Sequence, residues 1–530
     1  MPESILAGAE GKRNDRGYQS IERHGFTSAF DSPREMISRQ FLREHPEEVR
    51  EAIDRKGVEG IDLDRVLDID ERWRELKACG DALRHERNKV SSRIGELKAA
   101  GEEEAAEEAI ARSQELKTEL GDIEEEANEL EAELESALLT LPQIPHESVP
   151  IGEDETDNEE LRREGFADHH ELPDRVVPHY EIGEELGIID EERARKTSGS
   201  GFYFLRGEGA RLEHALIQFM LDVHREQGYL DVFPPIPASS ASMTGTGQLP
   251  KFAEDAYRLG YERAGGSERS GQAADSDGSD GSDRGDSETP DGEEHGAPRS
   301  EFDAEDLWLC PTAEVPVTNM HREEILLDED LPLKYQAYTP NFRREAGEHG
   351  TETRGIVRVH QFNKVELVNF VRPEESYERL EGLLGEAESV LQRLDLPYRV
   401  LLMCTGDMGF QQAKKYDVEV WAPGDDMPTG PEAGGRWLEV SSVSNFEAFQ
   451  ARRAHIQYRP ERHESAEYLH TLNGSGLAVP RVMVAILEYY QNSDGTVTVP
   501  EALRPYMGSQ EVIEGHEPVG ESAVGAGDRD

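Results

Sequence analysis

Residues 339–366 read Thr339-Pro-Asn-Phe-Arg343-Arg344-Glu345-Ala-Gly-Glu-His-Gly-Thr-Glu-Thr-Arg354-Gly-Ile-Val-Arg358-Val-His-Gln-Phe362-Asn-Lys-Val-Glu366. Arg343, Arg344, Arg354 and Arg358 crowd into one short stretch of a chain whose 112 acidic residues outnumber its 57 lysines and arginines. Such a local concentration of positive charge suits a bound anion. The alternation over 355–362 predicts a strand, and the polar, glycine-bearing segment 346–351 predicts the loop between that strand and the one before it. An arginine on a strand beside such a loop is placed to grip a phosphate. From charge alone, a solvated strand face with incidental salt bridges reads the same way.

Pattern separates the two readings. Phe342-Arg343-Arg344-Glu345 resembles the second signature motif of class II aminoacyl-tRNA synthetases, and Val359-His-Gln-Phe-Asn-Lys-Val-Glu366 is similar to its version in the seryl-tRNA synthetase family. Upstream, the amphipathic run Leu212, Leu216, Phe219, Met220 and Val223, followed by Gly228-Tyr-Leu-Asp-Val-Phe-Pro-Pro235, resembles the first motif, a helix, strand and proline at a dimer interface. Read without the resemblance, that piece is a core helix feeding a core strand. Gly245-Thr-Gly-Gln-Leu-Pro-Lys-Phe252 matches a segment characteristic of seryl enzymes. Asn473-Gly-Ser-Gly-Leu-Ala-Val-Pro480-Arg481 resembles the third motif, a turn opening a helix whose arginine meets ATP. The family usually carries a small residue where Pro480 stands, but a first helical turn tolerates proline.

A chain of 530 residues exceeds one hydrophobic core and predicts at least two domains. Its formal net charge of -55 argues against a polyanionic partner in dilute buffer. Spread over the whole chain with few lysines, the excess predicts adaptation to high salt, where screening confines repulsion to about 3 Å at 1 M. A fold that stayed intact on dialysis into low salt would contradict this. Cys79, Cys310 and Cys404 are far apart and odd in number, which offers no disulfide framework and suits a reducing cytoplasm. With no apolar run long enough for a bilayer, the reading is a cytoplasmic protein with no membrane partner.

From Ile69 the apolar residues fall at heptad spacing, Ile69, Leu76, Leu83, Val90 and Leu97, with Trp73 and Ile94 in the second position. After Gly101 a second stripe follows, Leu116, Leu120, Ile123, Ala127, Leu130, Leu134 and Ala137. Two stripes joined by a short turn predict an antiparallel helical hairpin, a coiled coil that spacing alone leaves purely structural. Charge divides its arms, with eight bases against four acids over 72–98 and two against fifteen over 102–135. A basic stripe attracts RNA phosphates, and the hairpin matches the long arm with which seryl enzymes hold their tRNA.

The predicted domains are a disordered extension 1–35, a tRNA-binding arm 36–146, a catalytic domain 147–510 and a disordered tail 511–530. Residues 147–200 are expected to form a linker of little regular structure. A Gly, Ser and Asp-rich insertion, 262–305, is expected to be disordered between strand candidates at 255–261 and 306–310. Mixed elements without regular βαβ alternation predict an α+β fold built on an antiparallel sheet. That is the sheet of a class II synthetase catalytic domain.

The resemblance implies a serine-tRNA ligase that uses ATP and Mg2+ to make seryl-adenylate and charges tRNA(Ser), working as a homodimer. It also admits the selenocysteine tRNA, tRNA(Sec), as an acceptor. It places Arg343, Glu345 and Arg481 in catalysis, Arg343 against the α-phosphate and Arg481 against the γ-phosphate and adenine. Arg344, Val359, His360, Phe362, Glu439, Val440, Ser441 and Ser442 join them around ATP, with Glu439 and Ser442 on the magnesium ion. One carboxylate plus ATP oxygens suffices for magnesium. For serine it implies Thr312, Ala313, Glu314, Glu366 and Ser475, with Glu314 as countercharge to the ammonium; spacing alone leaves Glu366 a salt-bridged structural residue equally well. Two alternatives remain: a ligase that charges a carrier protein, which would not need the basic hairpin, and a non-catalytic RNA-binding relative, which would not need these site residues.

Overall fold

The computed structural model describes residues 37–165, 172–260, 306–345, 354–424, 435–461, 463 and 465–515. The expectations for the extension 1–35, the insertion 262–305 and the loop 346–351 lie outside them.

A short helix, Pro46–Arg55 (α1), leads into the hairpin. Asp62 caps its first long helix, Leu63–Ala100 (α2), by accepting the Arg65 amide at 3.1 Å. Gly101 ends that helix with φ 75°, a conformation open to glycine. The chain returns as Glu103–Leu138 (α3). Leu76, Leu116, Leu120, Ala127 and Leu134 are buried along the seam, as the heptad pattern requires. Leu42, Val49, Ile53, Leu63 and Val66 close the base against Leu134, Leu138 and Leu141, and each leucine buried there contributes about 1.5–3 kcal/mol.

The body that follows the hairpin is built on an eight-stranded sheet. In chain order its strands are Glu159–Glu164 (β1), Leu230–Val232 (β2), Leu333–Phe342 (β3), Gln361–Val371 (β4), Tyr398–Leu402 (β5), Lys414–Ala422 (β6), Arg436–Glu447 (β7) and His470–Ala478 (β8). Across the sheet they run β1-β5-β6-β7-β8-β4-β3-β2, antiparallel throughout except for β2 beside β3. The α+β expectation holds. Gly207–Glu226 (α4), Ser376–Arg393 (α5) and Val479–Tyr489 (α6) pack on one face. Alternation does the sorting: Val365, Leu367 and Val371 of β4 join the core with these helices, while Lys364 and Glu366 point to the opposite face, where the cavities lie.

Four expectations need correction. Residues 147–200 are not featureless, because Glu159–Glu164 forms the sheet's edge strand, and helices follow at His179–Glu185 and Glu191–Ser198. The expected strand over 355–362 begins only at Gln361. Before it, Gly355 takes φ 72° and the neighbours Ile356 and Val357 are both buried, so these residues turn rather than alternate. The tail does not start at 511, since Val512–Ile513 pairs with Val497–Thr498 and Ile513 is fully buried. Of the flanks of the insertion, Leu307–Leu309 is a strand, whereas 255–261 contributes only the bridge of Arg258 to Trp308.

Candidate active site

Two cavities adjoin on the face opposite α4, α5 and α6. The first, about 370 Å³, is walled by Thr312, Glu314, Arg343, Glu345, Glu366, Ser442 and Ser475 among others. The second, about 220 Å³, holds Arg343, Glu345, Val359, Phe362, Glu439, Val440, Ser442 and Arg481 in its wall. Arg343, Glu345, Arg358, Lys364, Ser442 and Ser475 belong to both.

The second cavity owes its acidic wall to an irregularity in β7. Asp417 of β6 pairs with Ser442, Val418 with Ser441, and then Glu419 with Glu439, so Val440 is an extra residue. Such a bulge restores the side chain two places on to the same face. Glu439 and Ser442 consequently look into one cavity. Glu439 is half-buried. Partial burial works against its charge, but Lys415, Arg481, Arg343 and Lys364 together outweigh that and hold it below the usual carboxylate range. Arg481, in the first turn of α6 beside Pro480, donates to the Glu439 carbonyl at 2.7 Å and lies 3.8 Å from its carboxylate. Arg343 follows directly on β3; its guanidinium carbon stands 5.3 Å from the centre of the Phe362 ring. Arg358 donates to Glu345 at 2.7 Å.

The first cavity is built by a buried polar network. The Thr312 hydroxyl donates to Glu366 at 2.8 Å and accepts from Lys364 at 2.9 Å. Glu366 also pairs with the Lys364 ammonium and accepts from Asn473 at 3.1 Å. The two readings of Glu366 thus coincide, since it is salt-bridged and faces the cavity. Glu314, 4 % exposed, accepts from the Gln450 amide, which Thr471 holds at 2.8 Å. Burial and then the Glu366 carboxylate push Glu314 up to about 7, against Gln450, Lys364 and Arg343.

Four expected residues stand outside both walls. Ala313 is fully buried in the core behind the first cavity. Arg344 is exposed, its amide tied to the Asp255 carbonyl at 2.8 Å. His360 is drawn aside by the Tyr257 hydroxyl, 2.7 Å from Nδ1, and its ring packs near Phe202. Ser441 points the other way because of the bulge, donating to the Ser475 carbonyl at 2.7 Å. Conversely, Lys364, Asn473 and Gln450 carry the first cavity's network and had been assigned no role. Lys364 and Asn473 lie inside the quoted motifs, and Gln450 lies in Phe449-Gln-Ala-Arg-Arg453, a segment that also resembles the family.

On the hairpin the acidic helix claims part of the basic one. Arg72 pairs with Glu126, Lys77 with Glu131 and Arg84 with Glu124. Arg87, Lys89, Arg93 and Lys98, toward the Gly101 turn, make no ion pair among the described residues. An open surface lies beside Lys89, Arg93 and Leu97.

Comparison with known proteins fits both halves. Residues 36–145 match the seryl-tRNA synthetase N-terminal domain, and residues 299–490 match the tRNA synthetase class II core domain (G, H, P, S and T). The chain is 70 % identical to a serine–tRNA ligase of Haloarcula marismortui and 69 % identical to one of Halobacterium salinarum, each over 93 % of this chain and 100 % of the relative. Both sources are halophilic archaea. The crystal structure of seryl-tRNA synthetase from Pyrococcus horikoshii complexed with ATP superposes with a TM-score of 0.75 at 36 % identity, covering 90 % of this chain and 99 % of that one.

Proposed function

This chain belongs to the seryl-tRNA synthetase family and charges tRNA with serine at the expense of ATP, and from that premise we propose how its residues divide the work. The first cavity takes serine, with the Glu314 carboxylate facing the ammonium and Thr312, Glu366 and Ser475 around the hydroxyl. Analogues lacking that hydroxyl would leave buried polar groups unpaired, which is the stronger kind of discrimination. The second cavity takes ATP, with Phe362 and Val359 along the base and Arg481 toward the terminal phosphate. Their shared wall is the observation that supports this reading, since Arg343 lines both cavities.

There the serine carboxylate oxygen attacks the α-phosphorus, and the bond to the bridging oxygen breaks as pyrophosphate leaves. Negative charge gathers on the phosphate oxygens. A fixed guanidinium at Arg343 stabilises it and aligns the carboxylate, without moving a proton. Glu345 and Arg358 brace one another beside it. Glu439 and Ser442 fit a magnesium ion, since the neighbouring cations keep the acid ionised and both side chains share a face. The metal, when bound, would neutralise charge on the phosphates. A ribose hydroxyl of the terminal tRNA(Ser) nucleotide then attacks the adenylate carbonyl and AMP departs.

The unpaired bases of the hairpin serve the RNA backbone, and two copies join through the β2 end of the sheet, where Leu230 and Phe233 are 63 % and 90 % exposed. The working form is then a cytoplasmic homodimer. Serine-dependent ATP–pyrophosphate exchange tests the site: Arg343→Ala abolishes it while circular dichroism stays unchanged. Retained exchange would remove Arg343 from the mechanism.

A further inference from the structure

Lys56 follows α1 at the foot of the hairpin, far in sequence from the catalytic residues, and is only 6 % exposed. Its ammonium donates to three main-chain carbonyls of one loop in the catalytic body, Gly409 at 3.1 Å, Phe410 at 3.2 Å and Gln412 at 2.6 Å. All three donors are thereby used, as a buried ammonium demands. The same loop is pinned from the hairpin's exit, where Gln143 donates its amide to the Phe410 carbonyl at 2.7 Å and His146 to that of Ala413 at 2.9 Å. Val58 packs with Phe410, Phe446 and Phe449. Groups of the arm thus hold one side of the loop, while on the other Ala413 donates to the Asn445 carbonyl at 2.8 Å and Phe410 packs on Phe449.

Its other side faces the first cavity. Gln411 and Gln412 both line that cavity, and the Oε1 atom of each is buried without a hydrogen-bond partner. Both oxygens are turned to glycines, Gln411 to Gly247 and Gln412 to Gly409 of its own loop, so the two side chains close the cavity wall by packing. The Gln411 Oε1 occupies the space that a side chain at position 247 would need, its first carbon falling 2.3 Å away, so this packing requires Gly247.

We propose that Lys56 is a positioning residue for serine recognition, fixing the loop so that Gln411 and Gln412 form one wall of the amino-acid cavity. It never touches substrate. Through it, the foot of the tRNA arm forms part of the scaffold of the amino-acid site in the same chain. Burial, and then Lys251, pull the Lys56 ammonium well below its ordinary range, with Glu447 opposing them; this agrees with an ammonium held by carbonyl dipoles rather than a carboxylate.

The inference rests on the first cavity being the serine site, and steady-state pyrophosphate exchange with the full-length chain separates the two ideas. In Lys56→Met the KM for serine rises roughly tenfold, from loss of charged hydrogen bonds to the loop, while the KM for ATP is unchanged. Lys56→Arg, which keeps charge and several donors, restores most of it. Lys56→Met and Gln412→Ala combine less than additively, as coupled residues do. Should Lys56→Met fail to fold, Lys56→Gln carries the same measurements. A serine KM indifferent to these changes, or an equal rise for serine and ATP, overturns the inference alone. Wild-type exchange that did not depend on serine would instead overturn the assignment of the cavity.

Discussion

Glu439 and Ser442 lie three places apart on one strand and still share a face of the sheet, because Val440 is an extra residue between them. In a regular strand that spacing would send one of the two into the helix-packed core. The site thus depends on backbone register as much as on residue identity.

Replacing Glu439 with glutamine keeps the shape of this wall and removes its charge. Exchange should fall by on the order of 100-fold, and the magnesium concentration giving half-maximal rate should rise. An unaltered magnesium requirement in Glu439→Gln would exclude the residue from the metal site.

Glu314 sets a pH limb. With the carboxyl near 7, it is ionised above that value and can face the serine ammonium; below it, the group is protonated and supplies no countercharge. The kcat/KM for serine should decline about tenfold per pH unit on the acid side. Glu314→Gln should lower activity and flatten that limb, and a limb that persisted in the variant would belong to another group.

Changing Arg87, Lys89, Arg93 and Lys98 together to alanine should raise the KM for tRNA and make aminoacylation less steeply dependent on salt, since each phosphate contact adds close to one unit of slope. Pyrophosphate exchange, which needs no tRNA, should stay at its wild-type rate. If tRNA KM and salt slope were both unmoved, the RNA would have to lie elsewhere on the hairpin.

Phe233→Asp puts a charge on the most exposed large apolar side chain among the described residues. Sedimentation velocity in high salt should show a dimer for the natural chain and a monomer for the variant. A variant that remained dimeric would move the interface away from β2.

The hairpin was legible because its signal is local: heptad spacing and a glycine turn need no knowledge of the rest of the chain. The arginines and acids of the site were legible through motif resemblance. What escaped was set by strand pairing. Glu366 of β4 pairs with Ser475 of β8, and only that neighbourhood brings Asn473 to Glu366. The bulge that turned Ser441 away has no mark in Glu-Val-Ser-Ser. His360 was read from its place in the motif, yet a hydroxyl from Tyr257, distant in sequence, decides where its ring goes. The edge strand Glu-Glu-Leu-Arg-Arg-Glu hid as linker because its residues are nearly all charged and mostly exposed.

That charged border has a consequence for assembly. Acidic and basic side chains along β1 discourage another chain from adding hydrogen bonds there, whereas the far border, at β2, ends in bare leucine and phenylalanine. Copies meeting at the sticky border leave only repellent ones facing outward. Growth by this route halts at a closed pair, and a long sheet escapes becoming the seed of a fibre.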